Sequence, residues 1–135
     1  MDLADIGTLK SLLRRHGFRL SRSLGQNFIV DPAVCPRMAA LCGAGKTSGA
    51  LEIGPGVGVL TRELAARAAK VVAVELDRGL EPVLAETLAG LPNVKTVWGD
   101  VLKIDLAALL REEFAGMSVY VCANLPYYIT SPVIL

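Results

Sequence analysis

The stretch ALEIGPGVG, Ala50 to Gly58, decides the fold. A short apolar run enters a turn with glycine at every second position: Gly54, Gly56 and Gly58. Glycines let such a turn form and let backbone approach a ligand closely, while the following helix offers its N-terminal amides. Alone this is a weak signal, because many strand-to-helix turns carry two glycines for steric reasons. Outward from it the pattern repeats. Strand ALEIG leads to a helix from about Val57 to Ala68, then strand KVVAVEL, a helix near Leu80 to Leu88, strand VKTVWG, short helix LAALLREEF and strand SVYVCA. Strands alternating with helices predict parallel pairing through right-handed crossovers. These strands are continuous apolar runs, as expected where both faces are covered.

Upstream, Leu3, Ile6, Leu9, Leu12 and Leu13 fall at helical spacing, predicting an amphipathic helix over 3–16 closed by Gly17. Asp31 and Pro32 read as an N-cap followed by proline at the first helical position, opening a second helix that runs to about Gly43. A chain of 135 residues, 53% hydrophobic and 20% charged, fits one globular domain. No apolar run approaches the roughly 18–20 residues that cross a bilayer, and the N-terminus lacks the order of a signal peptide. The expectation is a cytoplasmic protein with no membrane partner. Cys35, Cys42 and Cys122 are odd in number and lack a histidine at ligand spacing, so buried reduced thiols are expected and no metal. Lys10, Arg14, Arg15, Arg19 and Arg22 fall in a run without acids. Such a run is commonly a solvated helix face; contact with phosphates is the alternative. His16, within it, reads as a helix-end residue before Gly17 rather than a catalytic base.

In an open parallel sheet the ligand crevice lies beyond the carboxyl ends of the strands. Val59 stands where a dinucleotide fingerprint needs its third glycine, and Pro55 sits inside the turn, which disfavours a nicotinamide or flavin. Glu75 ends the second strand, twenty-one residues beyond Gly54, where a carboxylate can accept from both ribose hydroxyls of an adenosine-containing ligand. Asp77, close by, reads more simply as an N-cap. Asp100, after the third strand, is placed to accept from an adenine amine, or is a turn residue. After the fourth strand, CANLPYYITSP, Cys122 to Pro132, sets an amide, a proline and two tyrosines where the strand should end.

Taken together, these strand ends resemble those of a class I S-adenosylmethionine-dependent methyltransferase, and NLPY resembles the motif of members that methylate an exocyclic amine of a base. With LGQNFIVD, Leu24 to Asp31, and VELD, Val74 to Asp77, the chain is similar to the ribosomal RNA adenine N6-dimethyltransferases from about Arg19 to Pro132. The resemblance implies an α/β, Rossmann-like three-layer fold, incomplete, with parallel strands in the order 3-2-1-4. It divides the chain into 1–46, a helical segment and cofactor-covering loop, and 47–135, a partial methyltransferase core. It implies S-adenosyl-L-methionine as cofactor, held by Asn27, Ile29, Gly54, Gly56, Glu75, Asp100 and Asn124, and N6,N6-dimethylation of adenines in small-subunit ribosomal RNA. Phe28 either packs against the target base or is plain core.

The amide-proline-tyrosine turn has a physical reading in that light. An adenine amine is a poor nucleophile because its lone pair is delocalised into the ring. The side-chain oxygen of Asn124 and the main-chain carbonyl of Leu125 can each accept an N–H, leaving the lone pair aimed at a methyl group. Pro126 fixes the turn, and Tyr127 offers a face for an extruded base, a stacking contact of about 1–3 kcal/mol. Leu125 stands where many amine methylases have proline, which changes no acceptor because the carbonyl is main-chain. No general base is required, since the product loses its proton to water.

Family members continue past this motif with three further strands and a small helical domain that helps grip RNA. The expectation is a fragment that binds cofactor at most and self-associates through the apolar edge of SVYVCA or through YYITSPVIL. Three alternatives stay open: a large-subunit ribosomal RNA adenine dimethylase conferring antibiotic resistance, a non-catalytic nucleic-acid-binding module of the same fold, and a nicotinamide-binding domain. Asn124, Pro126 and Tyr127 argue against the module.

Overall fold

The structure, a computed structural model, describes residues 1–3, 5–17 and 34–123. Helix α1, Ile6–Arg15, starts where Asp5 accepts the Thr8 N–H at 2.9 Å, and ends at His16 and Gly17, whose φ of 63° no side chain adopts easily. Helix α2, Val34–Cys42, precedes the alternating region: β1 Gly49–Ile53, α3 Val59–Ala65, β2 Lys70–Glu75, a 3-10 turn Arg78–Leu80 running into α4 Glu81–Thr87, β3 Val94–Trp98, α5 Leu106–Glu113 and β4 Val119–Ala123.

All pairings are parallel, in the order β3-β2-β1-β4, as expected. Strand alternation sorts the side chains into layers. Ala50 and Val71 face a cluster with Cys35, Ala39, Leu60 and Leu64 of α2 and α3. Leu51, Ile53, Val72 and Val74 face the other way, onto Phe114 and the apolar side of α5. The result is helices on both faces of one sheet. β1 and β2 are buried along nearly their whole length, whereas β3 and β4 are partly exposed because each is an edge among the described residues. On β4 this leaves Tyr120 and Val121 at 40% and 60% exposure.

Helix α1 is held by Leu9 and Leu12, which pack with Leu3 against Val57 of the glycine turn and Leu80, Val83 and Leu84 of the α4 region. Burying each such side chain contributes about 1.5–3 kcal/mol. Beside that the exposed fork from Arg15 to Glu86, 2.8 Å at both oxygens, adds little energy and mainly sets how α1 sits on α4.

The α3 helix stops sooner than its apolar pattern predicts. Asn93 donates to the carbonyls of Ala65 and Ala68 at 2.9 and 3.2 Å, tying the loop before β3 to the end of α3. It also starts later, at Val59, because Gly58 has a φ of 95°.

At the base of the sheet a Cβ on Gly49 would lie 2.2 Å from the Phe114 ring. Replacing Gly49 by alanine is expected to cost about 1–3 kcal/mol of stability through overpacking, read by urea unfolding with the fluorescence of Trp98.

Candidate cofactor site at the strand ends

Two backbone hydrogen bonds extend the ladder beyond the strands. The Gly54 N–H donates to the Val74 carbonyl and the Gly99 N–H to the Glu75 carbonyl, both at 2.9 Å. The ends of β1, β2 and β3 therefore lie side by side, and Gly54, Glu75 and Asp100 line one rim. The first turn has φ of 74° at Gly54 and 60° at Gly56. At Gly58 the reason for glycine is doubled: the backbone is left-handed, and a Cβ would meet Thr87 Oγ1 at 2.9 Å and Leu88 at 3.2 Å.

Glu75 is the centre of this rim and only 7% exposed. Its Oε1 accepts the Gly56 N–H at 3.1 Å and its Oε2 the Asp77 N–H at 2.9 Å. One carboxylate thus clamps two turns, and each oxygen keeps further acceptor capacity. Burial raises the Glu75 pKa, while the Asp77, Gly56 and Leu76 amides pull it back down by favouring the charged form. Asp77 itself caps the 3-10 turn, accepting from the Gly79 N–H at 2.9 Å, as its simpler reading expected. Asp100 closes a turn by accepting the Leu102 N–H at 2.9 Å, as its turn reading expected, and is partly exposed on the rim, so its carboxylate keeps acceptor capacity.

The structure brings together Gly54, Gly56, Glu75 and Asp100. Asn27, Ile29, Asn124, Leu125, Pro126 and Tyr127 lie outside the described residues, as do Phe28 and the loop assigned to cover the cofactor. His16 is a helix cap, as expected. The cysteines are free; burial pushes Cys35 up to about 11 and Cys122 up to about 12, so both stay protonated thiols. Among the described residues no helix is long and apolar enough to cross a membrane.

Two features escaped the sequence reading. Leu76 and Leu102, each next to a strand-end acid or its turn, are 46% and 47% exposed, apolar walls at the rim. The signal was available as a large apolar residue after Glu75 and shortly after Asp100. The second is Glu52, 1% exposed in the middle of β1, whose carboxylate accepts the Thr61 hydroxyl proton. An acid interrupting an apolar strand was its signal.

Residues 17–135 match the family described as ribosomal RNA adenine dimethylase. The chain belongs to that family. Among curated members, ribosomal RNA small subunit methyltransferase A of Geobacillus thermodenitrificans is 49% identical over 135 residues, covering 99% of this chain and 46% of that protein. The protein of that name from Shouchella clausii is 46% identical with the same coverage. The chain thus spans about half the length of the curated relatives it matches. Among solved structures, the 23S ribosomal RNA methyltransferase ErmE superposes with a TM-score of 0.67 at 34% identity, over 80% of this chain and 41% of that one. A dimethyladenosine transferase from Plasmodium falciparum gives 0.62 at 27% identity, over 77% and 35%. The fold is accordingly the class I methyltransferase fold, and all four rim residues fall within the family match. Helix α1 precedes it.

Burial pushes Glu52 up to about 8, opposed by the Thr61 hydroxyl and aided by the negative charge of Glu75. The folded chain therefore holds this proton more tightly than the unfolded chain, whose carboxyl titrates near 4.5. The stabilisation is full below the unfolded value and is lost as pH rises towards 8, at about 1.4 kcal/mol per pH unit. Urea unfolding between about pH 5 and 8 is expected to show this decline in the parent and its absence in Glu52→Gln.

Proposed function

We propose that this chain carries the cofactor-binding part of an S-adenosylmethionine-dependent enzyme that dimethylates adenine N6 in small-subunit ribosomal RNA. The observation that carries the reading is the Glu75 clamp. A buried carboxylate fixed by two amides at the end of β2 suits the vicinal hydroxyls of a ribose, because its remaining lone pairs are already oriented. The other residues fit an S-adenosyl group: the positive-φ Gly54 and Gly56 put no side chain in a ligand's way at those positions, and Leu76 and Leu102 offer apolar cover for a flat ring beside Asp100.

When bound, S-adenosylmethionine supplies a methyl group activated by a sulfonium. The chain's own contribution is positioning. Glu75 and the glycine turn would hold the sugar, Asp100 would accept from the adenine amine of the cofactor, and Asn27 and Ile29 belong to the motif that would cover it. On the substrate side the Asn124 side chain and the Leu125 carbonyl accept the target N–H groups, Pro126 holds the turn and Tyr127 stacks the extruded base. After one methyl transfer the amine retains an N–H for either acceptor, which permits the second. The small-subunit assignment is supported by relatives of that name at 49% and 46% identity. The likeness to ErmE, a 23S ribosomal RNA methyltransferase, supports a large-subunit target as the second reading.

We also read β4 as a self-association edge. Among the described residues no strand pairs with its outer side, it carries no charge, and Val121 is exposed, whereas the other edge carries Lys95. Sedimentation velocity is expected to show dimers or larger species growing with concentration; a strictly monomeric chain at high concentration sinks that reading.

Calorimetric titration with S-adenosylmethionine is expected to give saturable heat, and Glu75→Ala to weaken binding at least about tenfold, or ~1.4 kcal/mol. No heat from folded parent chain overturns the cofactor reading. In the methylating enzyme, Asn124→Ala is expected to slow transfer of tritiated methyl to undermethylated small subunits by about 100-fold or more. Mapping dimethyladenosine in both ribosomal RNAs of a strain lacking the gene decides between subunits, and cofactor binding without any transfer favours the non-catalytic module.

A further inference from the structure

The solvent face of α1 is built from Gly7, Lys10, Ser11 and Arg14, all exposed, while Leu9 and Leu12 are buried beneath. Lys10 and Arg14 are four residues apart and so neighbours on one helical face. No acid occurs from Ile6 through Val30. Glu86 of α4 is occupied by the two-pronged fork from Arg15 and lies 3.4 Å from His16 Nε2. Asp5 is spent on the Thr8 amide and hydroxyl at 2.9 and 2.8 Å.

Arg67 pairs with Glu63, Arg78 with Glu81, and Lys70 and Lys95 share Glu113. These four cations are neutralised by neighbours, whereas Lys10 and Arg14 on the outer face of α1 have no carboxylate partner among the described residues. The common meaning of such a run, a solvated face, does not account for its place. Through Leu9 and Leu12 the helix packs with Val57 of the glycine turn and with Leu80, just past Asp77, which puts α1 next to the turns that Glu75 clamps.

We infer that α1 is an RNA-docking element, in which Lys10 and Arg14 contact backbone phosphates of the substrate beside the cofactor rim. The inference rests on the RNA-methylating reading above and adds to it a surface outside the residues that match the family. Phosphate contacts made by mobile cations carry no base information, so α1 positions the nucleic acid and does not select the adenine. The Arg15–Glu86 fork has a separate part: it fixes α1 on α4, so that the two free cations project from a rigid base.

The test is fluorescence anisotropy of a labelled RNA hairpin with the whole chain over a series of KCl concentrations. Each phosphate contact contributes about 0.7–0.9 to the slope of log affinity against log salt, so Lys10→Gln with Arg14→Gln is expected to reduce the slope by about 1.4–1.8. Lys10→Gln alone reduces it by about half of that. The control, Lys103→Gln with Arg111→Gln, removes two exposed charges near and on α5, on the opposite face of the sheet, and is expected to leave the slope unchanged. Equal slopes for parent and α1 variant overturn the inference, as does an equal loss in the control, which marks diffuse charge attraction. Calorimetry with S-adenosylmethionine on the same samples separates the two readings. Cofactor heat without hairpin binding by the parent overturns the α1 inference alone; hairpin binding through α1 without cofactor heat overturns the cofactor reading alone.

Discussion

A single buried carboxylate, that of Glu75, joins two turns, at Gly56 and Asp77, that lie twenty-one residues apart in the sequence. It accepts one amide from Gly56 and one from Asp77. Burying a charge is costly unless it is paired or well hydrogen-bonded, and the amides supply that compensation. The glycine turn after β1 therefore takes its shape from the end of β2 as much as from its own residues. If Glu75 were apolar, two backbone donors would be left without acceptors in a nearly closed setting, and the rim would lose both its shape and its charge.

The rim needs a stiff base, and the parallel sheet provides it. β1 lies between β2 and β4, with all five of its residues buried. Tight approach recurs where helix meets turn: Gly49 leaves room for the Phe114 ring, and Gly58 leaves room for Thr87 and Leu88 of the α4 region. Glu52 is the exception inside this apolar centre. Its hydroxyl partner Thr61 belongs to α3, so a polar contact links the middle of β1 to the helix that the glycine turn launches.

Charge is distributed in keeping with this layout. Arg67, Lys70, Arg78 and Lys95 around the sheet are matched with carboxylates, and α1, seated by leucines against the glycine turn, presents unmatched cations.

Much of this was legible in residues alone. Alternating apolar runs announced β1 to β4, Gly54 and Glu75 announced the rim, and the motifs GQNF and NLPYYITSP pointed to the family, because local periodicity and spacing are properties of the chain itself. Helix limits were less legible: α3 begins at Val59 because Gly58 is left-handed, and it ends at Ala65 where Asn93, from a distant loop, takes its carbonyl. The sequence by itself determined the element order, the parallel class and the acids at the strand ends. Only the tertiary structure decided that Glu75 clamps Gly56 and Asp77, that Glu52 is sealed against Thr61, and which face of α1 stays free. Those outcomes depend on contacts between residues far apart in the chain, and no local pattern encodes which of several acids will be buried and which will meet a cation.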